Sequence, residues 1–172
     1  LTVVVVLVII YGVSAPLLGK LPAGDISSAL GRDSTLTGRS AIWGYLVPLA
    51  LSRPILGHGW VGFWTKETRE SFYFFPAHNG YLETILATGF VGLLFIGVFM
   101  ISSCRKALRE LRTDYVWGVL WVCWLIMVLL HNVTESSLPN LANSLIGPLI
   151  WFTLNGSRGD QGGSSAGAES LE

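Results

Sequence analysis

Between Glu83 and Arg105 the chain carries no charged residue. A helix of about 20 mainly apolar residues crosses the hydrocarbon core of a bilayer. Residues 80–102 therefore read as a membrane span. Backbone polar groups in lipid must be satisfied within the segment, and strand-like alternation is absent, so the expected element is a helix. Three further apolar stretches read the same way, at 1–18, 115–130 and 138–154. The last is short and contains Pro148. Charged residues make up 13% of the chain, where a soluble domain carries roughly 25%. The expected fold is an all-α polytopic integral membrane protein, with about four transmembrane helices and an extracytoplasmic loop bearing an interfacial helix.

The same composition excludes several functions. Net charge is +0 and no basic block occurs, which argues against a nucleic-acid partner. Cys104 and Cys123 cannot build a disulfide framework or a zinc site alone. His58, His78 and His131 show no metal-ligand spacing, and no nucleotide-binding glycine loop is present. No metal or cofactor is expected. The chain opens at Leu1 inside an apolar run, without the basic region of a signal peptide. It reads as the C-terminal part of a longer membrane protein whose N-terminal spans are missing. Residues 155–172 are rich in Gly and Ser and read as a disordered tail.

Orientation follows from charge. Residues 103–114 hold Arg105, Lys106, Arg109 and Arg112. Short segments dense in Lys and Arg stay in the cytoplasm. Residues 19–77 then form an extracytoplasmic loop, and the tail is cytoplasmic. Within the loop, residues 37–53 have helical spacing at Ile42, Leu46, Leu49 and Ala50, with Thr37 as N-cap. Pro48 should kink or shorten this helix. A tight turn follows, with Pro54, Gly57 and Gly59. Trp60, Phe63, Trp64 and the aromatics 72–75 read as residents of the lipid–water boundary.

Three groups could do chemistry. His78, with Asn79, stands where the loop meets the span at 80–102, and an imidazole can serve as general base. The plainer reading is a polar residue capping the helix start. Arg39 offers a permanently charged fork suited to phosphate, with Trp43 one turn on and within reach of a cation–π contact. The plainer reading is a solvated arginine, and Arg53 competes for the same role. His131 and Glu135 end the span at 115–130, on the same side as His78. A carboxylate there could orient a histidine or accept a proton; both could equally be helix-end polar groups. Glu83, inside the span, should face protein or water, because a charge in hydrocarbon costs about 3 kcal/mol. His58 reads as a turn residue. Trp117, Trp121 and Trp124 form a stripe that reads as packing.

Taken together, GRDSTLTGR at 31–39 with Trp43, PILGHG at 54–59, and His78-Asn79 followed by Gly89 and Gly92 resemble the O-antigen ligase and polymerase superfamily, in its exopolysaccharide polymerase-like branch. The resemblance covers about 25–98. It implies a multi-pass protein of the bacterial inner membrane. It implies a substrate glycan carried on undecaprenyl pyrophosphate, in contact with membrane lipid, and no nucleotide sugar or metal. The arginine of an Arg-x-x-x-Trp/Leu pattern falls on Arg39, implied to act on the pyrophosphate. The histidine of the His-Asn pattern falls on His78, implied to activate the acceptor hydroxyl. Asn79, Glu83, His131, Glu135 and Arg53 are supporting candidates.

The expected function is therefore a membrane glycosyltransferase that polymerises lipid-linked repeats into exopolysaccharide. The alternatives are a ligase passing the glycan to lipid A core, and a transporter subunit. A transporter would be favoured by a span centrally broken by paired Gly and Pro; no span here is broken in that way, and the charge lies at the outer edge. Arg39 and His78 are expected to face each other across the reacting sugar. Without the missing spans the piece alone is expected to be inactive.

Overall fold

The structure, a computed structural model, describes residues 1–18, 39–60, 62–72, 76–138 and 144–155. The expected Thr37 cap, residues 73–75 of the aromatic run, most of the tail at 155–172, and part of the span at 138–154 lie outside the described residues. Among the described residues every regular element is a helix: α1 (Thr2–Leu18), α2 (Arg39–Ser52), α3 (Lys66–Phe72), α4 (Gly80–Thr113), α5 (Tyr115–Thr134) and α6 (Ile146–Leu154).

α4 and α5 form the central antiparallel pair, and α1 packs against both. Tyr81, Met100, Cys104, Leu125, Val128 and Leu129 fill the seam. α2 lies across the first turns of α4, burying Trp43, Leu46 and Ala50 against Leu82, Ile85 and Leu86. Phe63 and Trp64 join this second core. They are buried there, not lodged at a lipid boundary, whereas Trp60 is exposed.

Two helices, α4 and α5, are long and apolar enough to cross a membrane. α1 is apolar but has 17 residues, about 26 Å of helix. The fourth expected span is not confirmed: among the described residues α6 has nine residues, about 14 Å, less than a crossing needs. Its Pro148 sits in the first turn, where a missing N–H costs nothing. The expected loop at 103–114 is also corrected. α4 continues through all four basic residues to Thr113, and Asp114 alone separates it from α5. Asp114 ends α4 and caps α5, its carboxylate accepting from the Trp117 N–H at 3.0 Å. Lys106 turns inward and donates to the Phe152 and Thr153 carbonyls at the end of α6, where a cation complements the helix dipole. The tryptophan stripe packs as expected: Trp121 stacks on Phe152 at 4.1 Å, and Trp124 donates to the Leu145 carbonyl.

α4 is not continuous. Gly89 has φ 66 and ψ −164, outside helical space, and breaks the helix with no proline in it. The turn at 54–59 closes the break. His58 and Gly59 donate backbone N–H to the Leu86 and Ala87 carbonyls at 2.8 and 2.9 Å, and Phe90 donates to the Pro54 carbonyl at 2.7 Å. The polar groups freed by the break are thus paired inside the protein, as hydrocarbon requires. A Cβ on Gly89 would stand 2.2 Å from the Ile55 oxygen, and one on Gly57 2.7 Å from α4 backbone. Gly89 is a backbone breaker here. Pro48 does not end α2, which runs four residues further.

Candidate active site

His78 is the residue before the cap of α4. Asn79 caps the helix, its Oδ1 accepting from the Leu82 N–H at 2.8 Å. Its Nδ2 donates to the Gly12 and Val133 carbonyls, both at 3.0 Å. Fully buried, Asn79 ties α1, α4 and the end of α5 together. The cap therefore belongs to Asn79, and the His78 imidazole is free for other partners. His78 itself has φ 51, a left-handed conformation uncommon for any residue but glycine.

The imidazole meets Glu135 at the C-cap of α5. His78 Nδ1 donates to Glu135 Oε2 at 3.2 Å. The other carboxylate oxygen, Oε1, accepts from Arg39 Nη2 at 3.0 Å. Arg39 opens α2. One carboxylate thus joins the first residue of α2 to the residue preceding the cap of α4. All three side chains are partly exposed, at 20% for Arg39, 34% for His78 and 41% for Glu135. Each keeps surface open to an incoming molecule.

The chemistry follows from hydrogen-bond capacity. An ionised carboxylate only accepts, so the proton shared with it sits on Nδ1. In its neutral form the ring then presents the Nε2 lone pair, the atom a general base uses. Arg39 has five N–H donors, and among the described residues one of them meets Glu135. The expectation that Arg39 and His78 face each other across the reacting sugar gains a third member, because Glu135 bonds to both side chains.

The chain turns sharply after α5 to deliver that carboxylate. Asn132 organises the turn, its Oδ1 accepting from the Ser137 and Leu138 N–H groups at 2.9 Å each. Asn132 is buried and structural. The His131 ring is half-buried and is not joined to the Arg39–Glu135–His78 group, though its carbonyl accepts the Glu135 N–H. Arg53 lies exposed beyond the far end of α2, away from the group. Glu83 is buried and faces protein: it accepts from the Trp64 indole N–H and, at 2.9 Å, from the Ala77 N–H. His58 is a turn residue, its Nε2 bonded to the Leu49 carbonyl at 3.1 Å.

Trp43 does not form its anticipated role as a face for Arg39. It is buried, and its indole N–H donates to the Ala77 carbonyl at 3.0 Å. Ser136, which accepts the Asn79 N–H at 3.1 Å, was not singled out in the sequence. No local pattern points to it, because its partner lies 57 residues away. No group of three or more His, Cys, Asp or Glu side chains gathers to hold a metal ion among the described residues.

Comparison with known proteins adds a separate line of information. A family model described as O-antigen ligase matches residues 1–97. The exopolysaccharide production protein ExoQ of Rhizobium meliloti (strain 1021) is 29% identical over 100 residues. The match covers 52% of this chain and 23% of that protein's length. No solved structure matches the chain.

Proposed function

The chain belongs to the O-antigen ligase family, and from that premise we propose that Arg39, Glu135 and His78 form part of the catalytic centre of a membrane glycosyltransferase. The donor is a glycan on undecaprenyl pyrophosphate, and the acceptor is a sugar hydroxyl of another lipid-linked repeat. The observation that carries this reading is the single carboxylate shared by Arg39 and His78, at 3.0 and 3.2 Å.

The bond that breaks joins the anomeric carbon to the pyrophosphate oxygen. The bond that forms joins that carbon to the acceptor oxygen. Negative charge grows on the departing pyrophosphate, and a fixed guanidinium stabilises it without reorganisation. The acceptor loses its proton as it attacks, and His78 Nε2 takes it. Glu135 holds the ring with Nε2 outward and stabilises the imidazolium that forms, the role an orienting carboxylate plays beside a catalytic histidine. Arg39 thus complements the charge that develops on the departing pyrophosphate, and Glu135 the charge that develops on the ring.

The likeness to an exopolysaccharide production protein favours a polymerase over a ligase. The test is glycan length and carrier-bound precursor in cells whose intact protein carries His78→Ala, at normal abundance in the membrane. Single repeats accumulating on the carrier support the polymerase. Full-length polymer retained on the carrier supports the ligase instead. Normal polymer in its normal place overturns the enzymatic reading, and solute flux through the reconstituted protein would then support a transporter.

A further inference from the structure

Three consecutive peptide groups around His78 are each held by a different side chain. The Ala77 N–H donates to Glu83 Oε2 at 2.9 Å. The Ala77 carbonyl, which belongs to the amide of His78 itself, accepts from Trp43 Nε1 at 3.0 Å. The Asn79 N–H donates to Ser136 Oγ at 3.1 Å. These grips come from α4, from α2 and from the turn after α5. Between them His78 sits at φ 51. A left-handed residue other than glycine persists only where its surroundings over-determine it.

Trp43 is the grip that reaches furthest. Rotation about the His78 N–Cα bond is rotation of the 77–78 peptide plane, and Trp43 fixes that plane by its carbonyl. Trp43 also stands one helical turn after Arg39, on the same face. One indole N–H therefore sets two things together: the backbone angle that aims His78 at Glu135, and the position of the helix that brings Arg39 to the same carboxylate. Both partners are buried, Ala77 at 0% and Trp43 at 2% exposure, so water does not replace the bond.

We infer that Trp43 is a positioning residue of the transferase centre, acting through His78 by its indole N–H, not through its ring face. This rests on the catalytic reading of His78 above. Without the indole donor, the buried Ala77 carbonyl loses its partner. The 77–78 peptide then turns to find another, and the imidazole swings off Glu135.

The test replaces Trp43 in the intact protein by 3-benzothienylalanine, which keeps the shape of the ring system and puts sulfur where the N–H was. Trp43→Phe is the second variant, and His78→Ala the reference. Turnover of lipid-linked repeats is measured on protein purified with its own lipid, per assembled molecule. The expected result is a kcat lowered by about 10- to 100-fold for both Trp43 variants, the scale of a misplacement near 1 Å. KM for the lipid-linked donor stays within about two-fold, because the binding surface is intact. Wild-type turnover for the benzothienyl variant overturns the inference while His78→Ala remains inactive. A rise in KM alone, or a loss that merely follows loss of assembled protein, also overturns it. Turnover retained by His78→Ala overturns instead the catalytic reading on which it rests.

Discussion

A carboxylate that accepts from a guanidinium with one oxygen and from an imidazole with the other cannot become an amide without reversing one of those bonds. Glu135→Gln keeps size and shape but offers one acceptor oxygen and one donor nitrogen. With the amide oxygen on Arg39, the amide nitrogen donates to His78 Nδ1 and the ring proton moves to Nε2, the wrong tautomer for a base. Turnover should fall by about 100-fold or more, on the scale seen when an orienting carboxylate beside a catalytic histidine is neutralised. Assay of purified Glu135→Gln at matched abundance checks this, and near-normal turnover would remove Glu135 from the centre. Arg39→Lys keeps the charge but not the planar fork. It should lower turnover by about 10-fold or more, read in the same assay. The identities of Arg39, His78 and Glu135 could be picked out from residue chemistry and the family patterns. Their meeting at one carboxylate could not, since the contacts span 96 and 57 residues. Trp43 was misread for the same reason: the nearest cation in sequence was Arg39, while its actual partner lies 34 residues on.

At the scale of elements, the break in α4 explains why the turn at 54–59 has the residues it has. His58, Gly59 and Phe90 share three backbone bonds of 2.7–2.9 Å across the gap, and neither Gly57 nor Gly89 leaves room for a Cβ. Both glycines are left-handed, with φ 65 and 66. Gly89→Ala therefore combines backbone strain with a clash, at a cost of about 2–4 kcal/mol. Thermal unfolding in detergent should show a Tm lowered by several degrees, with Gly97→Ala as control, because nothing lies within 4 Å of a Cβ there. Equal Tm values for the two variants would mean that the turn does not brace the helix. The long helices α1, α4 and α5 were legible from their apolar runs, and the short α3 was not. The break was not, because the groups that satisfy it come from a turn some 30 residues earlier. The end of α4 was misplaced because charge was read as loop. In the structure Lys106 is packed against α6 and Glu110 is buried, so the basic segment remains helical.

For the whole molecule, two ends of the α4–α5 pair differ in kind. One end carries the Arg39–Glu135–His78 group, where α4 begins and α5 finishes. The other carries Arg105, Arg109 and Arg112 on the last turns of α4. Basic residues stay in the cytoplasm, so the catalytic group should face outward, where lipid-linked glycans on an outer leaflet would reach it. Single cysteines at Glu67 and Arg112, in protein with Cys104 and Cys123 replaced by Ser, test this. A membrane-impermeant maleimide should label Glu67→Cys in intact cells and Arg112→Cys only after lysis. The reverse pattern would invert the molecule and separate the centre from its substrate. An inward-facing centre would also leave the family likeness over residues 1–97 without the extracytoplasmic reaction proposed for it.

The central claim is that one lipid-borne saccharide touches both Arg39 and His78. The most direct measurement is a structure of the intact protein in lipid nanodiscs with a pyrophosphate-linked repeat bound. The expected result has a pyrophosphate oxygen in hydrogen-bond contact with Arg39 and a sugar hydroxyl within about 3.2 Å of His78 Nε2. A head group seated elsewhere in the membrane domain, with both side chains out of contact, would contradict it.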